Sequence, residues 1–226
     1  DFWLFFLLVM IFFSFLHKNK LVRSIFLTAV SAFFFYKTSG LYVILLLVSV
    51  WYNYYLGKRI YNSQSDRKRK WIIAISAIFN LLILGYFKYA YFFTDSFNDM
   101  FGTSYELVNH FAQFGNGFLG DGTFVEKILL PVGVSFFTFQ NISYVVDIYR
   151  KEITPVKNFF DYTFFVTFFP QLVAGPIVRS TDFIPQLYKP YQLTKHEWGL
   201  AVFWILNGLM KKILLADYLA VNFIDR

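Results

Sequence analysis

Long apolar runs, separated by short polar breaks, decide what this chain can fold into. Phe2 to Leu16, Leu21 to Tyr36, Leu41 to Leu56 and Trp71 to Phe93 follow one another with little charge inside any of them. Lipid offers the backbone no hydrogen-bond partner, so runs approaching about 20 apolar residues form helices, which satisfy their own N–H and C=O groups. Composition removes the soluble alternative. Of 226 residues, 57% are hydrophobic, 23% aromatic and only 15% charged, against roughly 25% charged in soluble domains. The expected fold class is all-α, a polytopic membrane helix bundle.

Charge then orients the spans, because Lys and Arg are retained on the cytoplasmic side. The first connection carries Lys18, Lys20 and Arg23, the second only Lys37, and the third Lys58, Arg59, Arg67, Lys68, Arg69 and Lys70. The first and third are therefore expected in the cytoplasm. The fourth, Thr94 to Thr123, holds Asp95, Asp99, Glu106 and Asp121 without Lys or Arg, and reads as an extracytoplasmic loop. The net charge of +7 resides in these short flanking runs, which is the pattern of a membrane surface and not of a nucleic-acid binder. With no Cys, disulfides, Cys-based zinc sites and thiol nucleophiles are excluded.

The organisation expected is one transmembrane domain over residues 1–226: four spans in 1–93, the outer loop 94–123, and motif-bearing helices in 124–226. No cleavable signal peptide is evident. The start at Asp1 inside an apolar run, and the end at Ala216 to Arg226 without a stop signal, read as part of a longer chain.

Two stretches carry candidate chemistry. In PVGVSFFTFQNISYVVDIYR, Pro131 to Arg150, the residues Phe137, Gln140, Tyr144 and Asp147 fall on one helix face and give an apolar span a polar stripe. Such a stripe either lines a polar passage or bonds neighbouring helices together, and spacing favours the second. Asp147 and Arg150 are also spaced to pair at i, i+3. In FFPQLVAGPIVR, Phe168 to Arg179, Pro170 and Gly175-Pro176 interrupt the helix twice, which predicts a re-entrant or broken segment around Gln171. Lys211-Lys212 inside the last apolar segment, Trp198 to Phe223, predict a bend or snorkelling near an interface.

General acid–base chemistry most often draws on His. His17, His110 and His196 all lie outside the apolar spans and read as solvated or interfacial. No metal-ligand spacing occurs, and neither GxGxxG nor a P-loop is present.

Pro131 to Arg150 followed by Phe168 to Arg179 resembles the membrane-bound O-acyltransferases. The closer likeness is to their bacterial branch, which acts in alginate O-acetylation and in D-alanylation of teichoic acids. The resemblance extends to Phe34-Phe35-Tyr36, Tyr54-Tyr55-Leu56-Gly57, Gly208 to Lys212 and Ala216-Asp217. It implies part of a multi-helix membrane enzyme of the bacterial inner membrane, an incomplete form of that family's fold. Such an enzyme passes an acyl group, most simply acetyl, from a cytoplasmic thioester towards an extracytoplasmic glycan. The residues that match the family motifs are Gln140, Tyr144, Asp147, Arg150, Pro170, Gln171, Gly175, Pro176 and Arg179. The catalytic His of the family has no match here and is expected beyond Arg226, so this chain alone is expected to be inactive. The donor would be acetyl-CoA or a carrier-protein thioester, used as substrate, with no bound cofactor. The implied partners are membrane lipid, a glycan acceptor and an extracytoplasmic acyltransferase protein, with no nucleic acid. The rival readings are a non-enzymatic transporter or channel, and a scaffold for an outer-face acyltransferase.

Overall fold

The structure, a computed structural model, describes residues 2–120, 125, 127–172, 175, 178–189, 192 and 194–224. The described residues form helices and no strands. They fall into two compact units, residues 1–189 and residues 190–226.

The first unit opens with α1 (Phe2–Leu16), α2 (Lys20–Ser39), α3 (Val43–Asn62) and α4 (Asp66–Leu84). Asn19 caps α2 by accepting from the Leu21 and Val22 amides, and Gly40, at φ +60°, ends it. Three stretches are long and apolar enough to cross a membrane: Lys20–Asn62, Asp66–Phe101 and Lys195–Phe223. The first of these turns back on itself at Gly40. Ser24 near the start of α2 bonds Asp161 in the first turn of α8 (Phe159–Thr167), and Tyr54 of α3 bonds the Lys157 carbonyl just before it.

Small and polar residues share the buried faces of this unit with apolar ones such as Leu46 and Val50. The buried face of α2 is written at helical spacing by Ser24, Thr28, Ser31 and Phe35, whereas Val22, Ile25 and Phe33 are exposed. In α3, Ser49, Asn53 and Gly57 turn inward, while Ile44, Val48 and Trp51 face out. Small and polar residues draw membrane helices together because apolar side chains gain nothing by leaving lipid. Gly57 shows the principle most directly. A Cβ there would stand 2.9 Å from Ile148 Cδ1 and 3.0 Å from Tyr144 Cε1, so the absent side chain is what lets α3 approach α7 (Val134–Tyr149).

The remaining elements are a π-helical turn at Gly85–Tyr89, α5 (Ala90–Phe101), α6 (His110–Leu119), the short α9 (Phe169–Leu172) and α10 (Ser180–Tyr188). The loop expected over Thr94–Thr123 thus carries helix: α5 continues to Phe101, and α6 starts where Asn109 accepts from the Ala112 amide. Asp121, Gly122 and Thr123 lie outside the described residues.

Side chains tie the helix ends together at two poles. At one pole, Arg69 donates to the Tyr149 carbonyl, Tyr54 to the Lys157 carbonyl at 2.8 Å, Ser24 to Asp161, and Arg23 to the Leu187 carbonyl. The first and third connections and the turn between α7 and α8 therefore share one end of the bundle. At the other pole, the Val132 amide donates to Ser39 Oγ at 3.0 Å and Tyr86 OH to Asn109 at 3.0 Å. There the ring of Tyr42 lies 5.6 Å from those of Phe87 and Phe111.

In the second unit, α11 (Lys195–Met210) starts with a capping box between Thr194 and Glu197. It passes at Lys211 into a π-helical stretch, Lys211–Asp217, where Lys212 pairs with Asp217. The lysine pair thus marks a change of helical winding.

Candidate functional site

The polar stripe of α7 is buried, and each of its members is committed to a neighbouring element. Gln140, Tyr144 and Asp147 are 0%, 0% and 1% exposed. They stand at successive levels from the middle of the helix towards the basic pole.

At the first level, the helix after α7 breaks. Phe168 leaves helical geometry at ψ 106°, and α9 resumes with Phe169. The break falls two residues before Pro170. Proline is tolerated in a first turn, whose N–H groups have no intrahelical acceptor, so Pro170 sits inside α9 and the interruption precedes it. The break frees the Phe165 carbonyl. Two carboxamides take it: Gln140 Nε2 donates at 3.0 Å and Gln171 Nε2 at 2.9 Å. A neutral amide meets this carbonyl without the desolvation cost of a buried charge. Gln140 Oε1 is itself buried with no hydrogen-bond partner among the described residues. Gly175 folds back onto α9, its amide donating to the Gln171 carbonyl at 2.9 Å. A Cβ at Gly175 would run into the Gln171 backbone.

The next level is structural. Tyr144 OH accepts the Val156 amide at 3.1 Å, and its ring lies 4.3 Å from that of Tyr162.

At the basic pole, Asp147 accepts from Arg179 Nη2 at 2.9 Å and from Ser180 Oγ at 2.6 Å. Its expected partner, Arg150, points elsewhere. Lys151 takes φ +64°, and the Lys151 and Glu152 amides close on the Ile148 and Asp147 carbonyls. This is a Schellman turn made without glycine. It brings Glu152 round to Arg150 at 4.0 Å and to Arg179 at 3.4 Å. Arg150 is left largely exposed, and Asp147 draws its charge partner from the start of α10.

The structure therefore joins Gln140 with Gln171, and Asp147 with Arg179. Arg150 and the exposed Pro170 belong to neither pair. Pro176 lies outside the described residues.

A larger polar cluster went unread from the sequence. Asn53 of α3 and Asn80 of α4 face each other: Asn80 Nδ2 donates to Asn53 Oδ1 at 2.9 Å, and Asn53 Nδ2 to Asn80 Oδ1 at 3.3 Å. Ser76 Oγ donates to Asn53 Oδ1 at 2.7 Å. Asn141 Nδ2 then donates to Ser49 Oγ at 2.9 Å, and Tyr162 OH to Asn141 Oδ1 at 2.6 Å. One seam of hydrogen bonds thus runs through α4, α3, α7 and α8. A readable signal exists in the i, i+4 pairs Ser49/Asn53 and Ser76/Asn80, set within otherwise apolar runs.

Asp161 is a second unread residue. It accepts from Ser24 and from Tyr188 OH at 3.0 Å, fastening α10 to the bundle. Burial, and next the Asp161 carboxylate, hold the Tyr188 phenol above its ordinary value near 10.

None of these groups is placed as a proton-transfer pair. The carboxamides are neutral, and the carboxylates of Asp147 and Asp161 are engaged by donors. The arrangement can fix a broken helix between α2 and α7 and can offer a buried amide oxygen to a ligand donor. His17, half-buried between α1 and α2, bonds the Ser14 carbonyl at 2.8 Å, and His110 and His196 are exposed.

The chain is similar to bacterial O-acetylation proteins over most of its length. It is 33% identical over 198 residues to "Probable alginate O-acetylase AlgI" of Pseudomonas aeruginosa, covering 86% of this chain and 35% of that protein. It is 31% identical over 227 residues to "Peptidoglycan O-acetyltransferase" of Helicobacter pylori, covering 88% of this chain and 40% of that protein. The protein of Azotobacter vinelandii that bears the first name is 34% identical over 175 residues, 75% of this chain and 31% of its own length. The chain thus spans well under half of the curated relatives it matches. No family model and no solved structure matches it.

Proposed function

Since this chain belongs, over the stretch it spans, to the membrane-bound O-acyltransferase family, we propose that it is part of an enzyme that O-acetylates an extracytoplasmic polysaccharide or cell-wall glycan. The observation that carries this reading is the match over 86% and 88% of the chain to relatives named for alginate and peptidoglycan O-acetylation. Three helical stretches among the described residues are long and apolar enough to span a bilayer, which supports a membrane protein.

In this reading the basic pole is cytoplasmic, following the retention of Lys and Arg on that side, and receives the thioester donor, acetyl-CoA or an acylated carrier protein. The opposite pole faces the glycan and any extracytoplasmic acyltransferase partner. The membrane in question is the bacterial inner membrane.

The broken α8–α9 segment forms a wall of the acyl path. Gln140 and Gln171 hold that wall by capping the Phe165 carbonyl. The open Gln140 Oε1 accepts from an amide or hydroxyl of the donor or acceptor. Asp147 and Arg179 fasten the segment's return to the basic pole. Tyr144 and Arg150 support the turn between α7 and α8. The base is assigned to none of His17, His110 or His196, because each sits away from the α7 stripe in sequence and in environment. It is supplied by the part of the relatives' length that this chain does not span.

Glycan O-acetylation by the full-length protein carrying Gln171→Ala or Asp147→Asn tests the assignment. At wild-type membrane levels each variant should lose at least about tenfold, the scale of one misplaced catalytic wall. Wild-type rates at normal expression would remove these residues from the acyl path.

A further inference from the structure

A cavity of about 420 Å³ opens at the basic pole, between the α3–α4 turn and the end of α7. Its lining includes Tyr61, Ser63, Gln64, Asp66, Arg69 and Lys151. Its walls combine charge with hydrogen-bond donors. The Arg69 guanidinium is 12% exposed and held over the Tyr149 ring at 5.1 Å, so its position is fixed before any ligand arrives. Lys151 stands across from it on the Schellman turn at φ +64°. α4, 19 residues long, begins at the cavity, and Ser65 makes no capping side-chain bond to its first amides. A helix start with open N–H groups favours an anion. Asp66 is the opposing charge on the lining; it lies 3.4 Å from Arg69 Nη1, and with its side chain 85% exposed its charge is screened by water. Arg67, Lys68 and Lys70 follow within the same turn and a half.

We propose that this cavity binds the phosphodiester headgroup of an anionic phospholipid. The charge calls for a phosphate, and the surroundings select its source. Tyr61 and Trp71 are 54% and 63% exposed beside the basic run, as aromatic side chains are at a membrane–water interface. Below them Ile75 and Ile78 continue the exposed face of α4, a track along which acyl chains can lie. Basic pockets at the ends of spans bind acidic lipid headgroups through this combination. The site involves none of the residues assigned to the acyl path, so it stands or falls apart from that reading.

The test uses the full-length protein in neutral detergent, with bound lipid counted by native mass spectrometry. Phosphatidylglycerol is the probe; phosphatidylcholine with the same chains and inorganic phosphate are the comparisons. The expected result is one tightly retained phosphatidylglycerol, with affinity reduced about fivefold by Lys151→Asn, on the scale of one interfacial basic residue. Asn tolerates the left-handed backbone, so this variant keeps the turn and tests charge alone. Arg69→Gln should reduce binding further, and circular dichroism reports whether it stays folded. Equal retention of phosphatidylcholine, or an unchanged affinity in Lys151→Asn, overturns the proposal. Displacement of the lipid by equimolar inorganic phosphate also overturns it and assigns the cavity to a soluble phosphate.

Discussion

Replacing Asn53 with leucine strikes the polar seam where most of its bonds meet. Asn53 donates to the Ser49 carbonyl at 2.8 Å and to Asn80 Oδ1 at 3.3 Å, and accepts from Ser76 Oγ at 2.7 Å and Asn80 Nδ2 at 2.9 Å. An interhelical hydrogen bond inside a membrane contributes about 0.6 kcal/mol on average. The three contacts to α4 then correspond to a loss of about 2 kcal/mol, because Leu fills the space but restores none of them. Asn80→Leu removes the same two amide contacts from the other side, while Asn80 also donates to the Ser76 carbonyl at 2.8 Å. The shared pair predicts a coupling of about 1 kcal/mol in a double-mutant cycle, the double variant being less destabilised than the two single losses together. Reversible unfolding by sodium dodecyl sulfate in mixed micelles, followed by tryptophan fluorescence, measures all four corners. Single losses below ~0.5 kcal/mol, or strict additivity, would refute the view that this seam binds α3 to α4.

Other perturbations read other joints. Gly57→Ala should destabilise by about 1–3 kcal/mol in the same assay, since its methyl must displace Ile148 or Tyr144. Lys151→Gly should stabilise by about 0.5–1 kcal/mol, as glycine adopts the left-handed backbone without steric cost. The folded state keeps the Tyr188 proton where the unfolded chain releases it, so the stability linked to this group is present below about pH 10 and drains away as pH rises above it. Unfolding midpoints measured from pH 8 to 11 should therefore fall less steeply in Tyr188→Phe than in the parent.

The apolar runs were legible because lipid imposes one answer on them: α1 and α2 begin and end within three residues of the hydropathy limits, while α3 runs on to Asn62 and α4 starts at Asp66 and gives way to a π-helical turn after Leu84. The face of α7 was equally legible, since Gln140, Tyr144 and Asp147 share it and are buried together. Partners were not. Asp147 lies three residues from one arginine and 32 from another, and only the turn at Lys151 and the approach of α10 decide that the distant one is taken. The break at Phe168 was misplaced to Pro170 because a missing N–H is harmless in a first turn. Asn53 and Asn80 escaped notice because each has only a serine one turn before it to mark its face, and their meaning lies in the register that sets one against the other. The outer connection hid its helices because Gly and Asn signal turns, and here two of them end or cap helices instead, at Gly102 and Asn109.

The doubly capped Phe165 carbonyl also constrains the order in which this protein can be made. α8 has nine residues, about 13 Å of helix, less than half of the roughly 30 Å a hydrocarbon core demands. Such a segment has no reason to partition into lipid from the translocon unaided. Most of its hydrogen-bond partners, Ser24 and Thr28 of α2 and Gln140 and Asn141 of α7, leave the ribosome earlier, and Gln171 and Tyr188 follow. The nascent chain thus builds the socket before it synthesises the plug, and a lesion in Gln140 would surface first as failed insertion during translation.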